Sequence, residues 1–557
     1  MLIKAEPVGD LPVISRLLQS TGLSQRVDKH YPTHHLWQGT SIGKTLEAFL
    51  VYILSENDHR LYSVEDWALG LERTLSWLLD EADFQAAYLS DDRLGSLLDY
   101  LSKDDERWMS FQRDHNQSLI RFYDLDNGTD QGPLDTVRID STTAQSHRET
   151  EGIFQLGHNA TGLALPQVKL MLLAIDKANL PLALNVVAGQ NSDDKLYVPA
   201  LEQAWEQGLK SKGVLVVGDR KLCNQYNMCF IADSGNYYLG PLAQRQYSRE
   251  ELMQAREWIE QQQEPAERVM RQAAGSKDSQ AIALVKELPA REIISADGTI
   301  HTQRLFGVCS LNLRKRQVAQ LEQRCQTACQ EVRLRFTRNR GRKTIKSVEE
   351  AERTINKILD KHKVAHLYSW KITLSQDPAE PCSVELTLDE QQNNIEQQLA
   401  GWRVMATNAP SDRLSACEVV LCYWEEYRIE QHFHLLLTKC TSLTPIFLKK
   451  ENRIQAMLRI LMLALQYYNL WQYTIRQTLK SEQNSYLTNL VPGNPGRKVE
   501  RPTTSLVLSA FRSVQMIYIM TDDHKASVHL QGIEEHHLRL LKMMRLPTDI
   551  YRHPWEA

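Results

Sequence analysis

Two aspartates in this chain follow short apolar runs. Asp140 stands in Val137-Arg138-Ile139-Asp140-Ser141-Thr142-Thr143, and Asp219 in Val214-Leu215-Val216-Val217-Gly218-Asp219-Arg220-Lys221. One aspartate after a strand reads as a cap or turn residue. Two at equivalent ends of neighbouring strands read as chemistry. Their carboxylates repel and raise one pKa unless a divalent cation removes the conflict. Oxygen ligands with no Cys or His beside them favour Mg²⁺ or Mn²⁺ over zinc. A third carboxylate would complete a site for two ions ~4 Å apart, suited to in-line attack on a phosphodiester. The place to seek it is the helical pattern over residues 418–438, where Tyr423, Glu426, Glu430 and His434 share one face by three- and four-residue spacing. Glu425, Glu426 and Glu430 all compete for the role, and periodicity does not choose among them.

The elements that must position these acids follow from the change in hydrophobic period. Apolar, β-branched runs at 137–140, 168–175 and 181–187 predict three consecutive strands. A helix opening at Ser192, with Asp193 and Asp194 in its first turn, precedes a short buried strand at 214–217. Residues 224–233 predict a second helix and 237–239 a fifth strand. The order β-β-β-α-β-α-β is that of a ribonuclease H-like core, in which the first and fourth strands are neighbours. Asp140 and Asp219 would then lie side by side.

Around this core the spacing predicts an α+β multidomain chain. Residues 1–130 read as helical, with apolar periodicity at 11–20, 40–55, 63–79 and 91–101. A helix-turn-helix among them would make this a DNA-binding domain, but simple helical packing is the stronger reading of the spacing alone. The core occupies 134–245 and resumes at 401–480 with the acid-bearing helix. Between them, 246–400 is a large insertion, and 481–557 is a C-terminal helical region whose His536-His537 pair reads as surface rather than metal-binding. In the insertion, helical segments at 249–267, 312–332 and 348–364 surround candidate strands at 304–310, 367–373 and 383–386. Arg333, Arg335, Arg338, Arg340, Arg342, Lys343 and Lys346 make it locally basic, a surface suited to tracking phosphates or simply a solvated charged face. Gly341-Arg342-Lys343-Thr344 ends like a phosphate-binding loop, but Phe336 stands where the earlier glycine is required. Trp258 and Trp370 read as core side chains before base-stacking ones.

Composition narrows the class further. With 557 residues, 42% hydrophobic and 24% charged, the chain is neither disordered nor a single small domain. Its 65 basic and 69 acidic residues give a net charge of −4, which excludes a uniformly basic coat but not local patches. The first residues lack the long apolar core of a secretory signal, and no apolar run approaches the ~20 residues of a membrane span. Nine scattered cysteines without zinc-ligand spacing read as reduced thiols of a cytoplasmic protein.

The ordered blocks resemble the DDE insertion-sequence transposases with a Tyr-x2-Arg-x3-Glu-x6-Lys signature, in the branch with a long helical N-terminal domain. The resemblance rests on Gly9-Asp10-Leu11-Pro12-Val13-Ile14, Ile139-Asp140-Ser141-Thr142-Thr143, Val217-Gly218-Asp219-Arg220, Thr407-Asn408, and Tyr423 through Ile429-Glu430-Gln431-His432-Phe433. Pro445-Ile446-Phe447, Arg453-Ile454, Gly496-Arg497 and Arg501-Pro502-Thr503 extend it toward the C-terminus. It implies Asp140, Asp219 and Glu430 as catalytic ligands of two Mg²⁺ or Mn²⁺ ions. Tyr423 fills the signature tyrosine. The arginine slot holds Glu426 with Arg428 nearby, and the lysine slot holds Leu437 with Lys439 two residues on. Tyr423, Arg428, Lys439, Arg220, Lys221, Arg338, Arg340, Arg342 and Lys343 are the expected DNA-binding residues. The implied activity is cut-and-paste transposition: donor strand cleavage, then strand transfer by the freed 3′-hydroxyl. Double-stranded DNA (terminal inverted repeats and target) and a second copy of the chain in a synaptic dimer are the implied partners, at the nucleoid of a prokaryotic cytoplasm. A nuclease without strand transfer, or a non-catalytic DNA-binding remnant of an element, are the alternatives.

Overall fold

The computed structural model describes residues 2–125, 135–146, 149–157, 165–192, 195–206, 212–272, 279–337, 345, 347–374, 382–439, 448–482, 485–520 and 526–552. The chain divides into two compact units. One comprises Met1–Leu222, Tyr226–Tyr237 and Glu425–Ala557, and the other Cys223–Gln225 and Tyr238–Trp424.

The first unit opens with strand β1 (Leu2–Glu6) and seven helices: α1 (Leu11–Ser20), α2 (Leu23–His30), α3 (Ile42–Glu56), α4 (Val64–Leu69), α5 (Glu72–Leu79), α6 (Asp91–Ser102) and α7 (Asp105–Phe122). Local signals explain most of them. Gly9 takes a positive φ of 48° and Pro12 sits in the first turn of α1. Ser41 and Asp104 cap α3 and α7 through their side chains. The single helix expected over 63–79 is two, broken at Gly70-Leu71, where Leu71 leaves helical geometry with φ −136°.

Four strands then form the platform: β2 (Asp135–Gln145), β3 (Gln167–Ile175), β4 (Leu180–Ala188) and β5 (Val214–Val217), in the order β4-β3-β2-β5. β2 and β3 are antiparallel, as are β3 and β4, while β5 runs parallel to β2. The strand expected to stop at Asp140 continues to Gln145, since Thr142 and Thr143 are β-branched and pair with Leu170 and Lys169. Helices α8 (Tyr197–Glu206) and α9 (Gln225–Asp233) flank β5 in sequence.

Late in the chain come α15 (Tyr427–His434), a five-residue π-helical turn (Leu435–Lys439), the 31-residue α16 (Glu451–Ser481), α17 (Thr504–Ala510) and α18 (Glu535–Met543). Helix α16 is buried along most of its length and ties the N-terminal helices to the platform. Gln466 donates to the carbonyl of Pro181 and the Asn116 side chain, and Arg453 forks onto Asp99 of α6 at 2.9 and 2.7 Å. The C-terminal region is not all helical. Strands β13 (Gln515–Met520) and β14 (Ala526–Gln531) join β1 in an antiparallel sheet, an end-to-end pairing that no local pattern announces. His537, expected at the surface, is buried because its ring caps α18 and meets the carbonyl of Ala510 at 2.9 Å.

The second unit holds β6 (Tyr237–Pro241), β7 (Glu267–Gln272), β8 (Ser279–Ile294), β9 (Ile300–Ser310) and β12 (Trp402–Thr407), ordered β6-β12-β9-β8-β7. Residue 267, expected to end a helix, begins β7. The helix α10 (Arg249–Gln261) stops earlier, and the 16-residue β8 carries too mixed a pattern to read as a strand. Helices α11 (Leu311–Phe336) and α12 (Val348–Lys361) enclose a second core of Leu321, Val332, Ile355 and Leu359. The hairpin of β10 (Tyr368–Leu374) and β11 (Cys382–Leu388) packs on it through Trp370, Ile372 and Leu386. Trp370 thus fills the core role expected of it, and Trp258 is half-buried on α10. Helices α13 (Glu390–Leu399) and α14 (Ala416–Trp424) complete this unit. The eight described cysteines are free thiols. Among the described residues no helix is long and apolar enough to cross a membrane.

Candidate active site

The parallel register of β2 and β5 pairs Val137 with Val216 and Arg138 with Val217. Asp140 and Asp219 each stand two residues beyond that last pair, so the two carboxylates project from the same level of adjacent chains. The approach is tight there: a Cβ added at Gly218 would lie 3.1 Å from the carbonyl oxygen of Ile139. A glycine before Asp219 lets β5 run close alongside β2.

Each aspartate is held differently. The Asp140 carboxylate accepts from the Ser141 backbone N–H at 2.7 Å. On Asp219, Oδ1 takes the Tyr197 hydroxyl at 2.6 Å and the N–H groups of Lys221 and Leu222 at 2.9 and 3.3 Å. Three donors converging on one oxygen fix the carboxylate and leave its second oxygen outside that set. Tyr197 is fully buried at the start of α8, so its hydroxyl is a rigid support. Sequence reasoning did not find it, and no local signal marks it.

Helix α15 lies on the face that carries Asp140. The register puts Asp140 opposite Leu172, and Leu172 opposite Leu184, so these side chains form one row across three strands. Ile429 and Phe433 pack onto Leu172 and Leu184 in that row. Glu430 follows Ile429 directly and is exposed; among the described residues its carboxylate has no hydrogen bond or ion pair. Glu425 is engaged instead, with its Oε2 2.9 Å from Arg428 Nη2 and 3.9 Å from Arg138 Nη2.

The helix expected over 418–438 is interrupted. α14 ends at Trp424, and Arg428 and Ile429 donate their N–H groups to the carbonyls of Glu425 and Glu426, an i→i+3 pattern that tightens the chain before α15. Past His434 the π turn adds a residue to the helical repeat, so face assignments by 3.6-residue spacing end there. His432 is buried with Nδ1 3.3 Å from the Asn469 amide on α16. Burial lowers its pKa to about 3, so the ring is neutral.

The other expected contacts are distributed. Arg220 and Lys221 are exposed just after Asp219. Tyr423 belongs to the second unit, where the Arg403 guanidinium sits 5.7 Å from its ring centroid. Thr407 ends β12 and donates to the Tyr238 carbonyl at 2.5 Å, while Asn408 accepts the Tyr238 N–H at 2.8 Å. The side chain of Lys439, together with Arg338, Arg340, Arg342, Lys343 and Lys346, lies outside the described residues, as do Pro445, Ile446 and Phe447.

The donor chemistry of Asp140, Asp219 and Glu430 suits a hard divalent cation, with oxygen ligands only. Among the described residues, no three His, Cys, Asp or Glu side chains are gathered closely enough to hold a metal ion.

Residues 131–467, more than half of the chain, match the family described as transposase DDE domain, and the chain belongs to that family. Residues 3–109 match a domain of unknown function (DUF4277). Comparison with curated proteins returns no match. Among solved structures, the chain is similar to the piggyBac transposase synaptic complex with hairpin DNA. The two share 9% identity over 87% of this chain and 85% of that one, with a TM-score of 0.26, a likeness too slight to carry an argument.

Proposed function

We propose that this chain is a DNA transposase whose core is ribonuclease H-like and whose catalytic acids are Asp140, Asp219 and Glu430. One observation carries the reading. Within the segment matching the transposase family, two aspartates stand level on adjacent parallel chains, and α15 docks a free, exposed glutamate over the same row. Glu430 is preferred over Glu425 because Glu425 is already paired with Arg428.

Asp140, Asp219 and Glu430 would hold two Mg²⁺ or Mn²⁺ ions, which supply an activated oxygen nucleophile and stabilise the attacking and leaving oxygens. The chain's own part is orientation. Tyr197 and two backbone N–H groups keep Asp219 from rotating, and the docking of Ile429 and Phe433 sets where Glu430 can reach. In the first reaction water breaks a phosphodiester at the element's end and leaves a 3′-hydroxyl. In the second that hydroxyl attacks a target phosphodiester, forming one bond for each broken. No covalent protein–DNA bond is needed. Arg220, Lys221, Tyr423, Lys439 and the basic segment from Arg333 to Lys346 are proposed to contact phosphates. The N-terminal helices and the insertion would grip the terminal inverted repeats, in a dimer that pairs two ends at the nucleoid.

The test is cleavage and joining on a duplex carrying the element's own ends with Mg²⁺, for wild type beside Asp140→Asn, Asp219→Asn and Glu430→Gln, with end binding measured for all four. Loss of both reactions with binding intact in every variant is expected. Cutting without joining in the wild type would make the protein a nuclease. Full activity in Glu430→Gln would remove that residue from the triad.

A further inference from the structure

A buried arginine lies two residues before Asp140, on the same face of β2. Arg138 is 2% exposed, and a guanidinium so buried is costly unless fully paired. Its Nε and Nη2 fork onto Oδ1 and Oδ2 of Asp176, just past the end of β3, at 2.5 and 2.8 Å. Arg428, in the first turn of α15, donates from Nη1 to the Asp176 carbonyl at 3.0 Å and lies 4.0 Å from its carboxylate. Its other terminal nitrogen pairs with Glu425 at 2.9 Å, and Glu425 returns to Arg138 at 3.9 Å. The ring Arg138–Asp176–Arg428–Glu425 is therefore closed. Asn179 adds a bond from its amide to the Arg428 carbonyl at 3.4 Å.

We infer that this ring is a positioning clamp that fixes the start of α15 on the platform and so limits where Glu430 can reach over the row that carries Asp140. The inference rests on the triad proposed above. Its physical basis is the backbone at this point. The chain enters α15 through i→i+3 bonds rather than a continuous helix, so the entry angle is not set by helical hydrogen bonding alone. Ile429 and Phe433 provide non-directional apolar contact. The ring adds directional, charge-assisted bonds from two different elements, the end of β3 and the middle of β2. Arg428 is then a positioning residue rather than a phosphate contact, and the arginine forms its bonds without DNA.

The experiment uses the full chain carrying Arg428→Ala, Arg428→Lys or Asp176→Asn. The first readout is hydrogen–deuterium exchange of residues 427–434 in metal-free protein. The second is Mn²⁺ affinity, and the third the split of end cleavage into kcat and KM. Exchange should quicken about tenfold or more in Arg428→Ala and Asp176→Asn. Mn²⁺ affinity and kcat should fall roughly 10- to 100-fold, the usual cost of losing support behind metal ligands, with KM for end DNA unchanged. Arg428→Lys should fall between, since one charged donor survives. Unchanged exchange and Mn²⁺ affinity in both Arg428→Ala and Asp176→Asn would overturn the clamp. So would a raised KM with kcat preserved, which marks a DNA contact. Should wild type bind no Mn²⁺ dependent on Asp140, Asp219 and Glu430, the triad fails, and the exchange arm still decides the clamp.

Discussion

Two platform strands beside the aspartates, β3 and β5, and the strands of the second unit are built to different rules. β3 is buried at eight of its nine positions and β5 at all four, so these strands are covered on both faces. By contrast β11 alternates buried or half-buried with exposed positions, and β8 is exposed at both ends. Strands covered on both faces resist a shift in register; beside them the half-buried β2 carries Asp140 at its sixth residue, and Asp219 stands two residues past β5. Strands covered on one face keep a surface for solvent or for a partner. The chain thus places its candidate chemistry beside rigid strands and its broad polar faces elsewhere.

That contrast can be broken or sharpened by substitution. The largest effect is expected at the acids. Asp140→Asn or Asp219→Asn should reduce end cleavage beyond the about 10- to 100-fold typical of residues behind metal ligands, with little change in thermal stability. A comparable loss from Glu287→Gln, a surface acid of the second unit paired with Arg304, would erase the distinction. Next comes packing. Leu172→Ala, beneath α15, should cost roughly 2–5 kcal/mol in denaturant unfolding. Ile372→Ala, on the half-buried hairpin, should cost only about 1 kcal/mol. Equal costs would show that the two strand sets are equally rigid.

A third effect is acid sensitivity. His432 is neutral in the folded protein down to about pH 3 but takes up a proton near 6.5 once unfolded. Stability is therefore full above 6.5 and falls as the pH drops below it, by about 2 kcal/mol at pH 5 for one such group. His115, buried among Phe111 and Tyr467 and also lowered to about 3, adds to the slope. Asp10, raised to about 6 by burial, acts in the opposite sense between pH 3.8 and 6. Urea titrations of His432→Gln should show a flatter decline than wild type. The smallest effect belongs to Arg333→Gln at the exposed end of α11. Stability should stay within about 0.5 kcal/mol. The slope of log affinity for DNA against log salt should drop by about one.

Most elements that could be read from the chain were those whose pattern is local. Periodicity and caps place α1, α3 and α6 nearly residue for residue, and β-branched runs place β3, β4 and β5. β1 escaped because its partner β13 lies at the other end of the chain, whereas β13 and β14 are neighbours in sequence whose short runs disappear into a helical reading of 481–557. β7 and β8 escaped because strands with a wet face and many polar residues resemble helix surface in composition.

The same division holds at the candidate site. The sequence alone determined that two aspartates follow apolar runs in the first and fourth strands, and that acids recur on a later helical pattern. Those are properties of neighbours along the chain. It could not choose among Glu425, Glu426 and Glu430, or foresee the support from Tyr197, because those answers depend on partners far away. Arg428 meets Asp176 across 252 residues while its other terminal nitrogen takes Glu425 three residues away, and Arg138 of β2 closes on the same Glu425 carboxylate at 3.9 Å. Only the tertiary structure brings them together, since ion pairing and docking depend on distance in space, whereas periodicity records only distance along the chain.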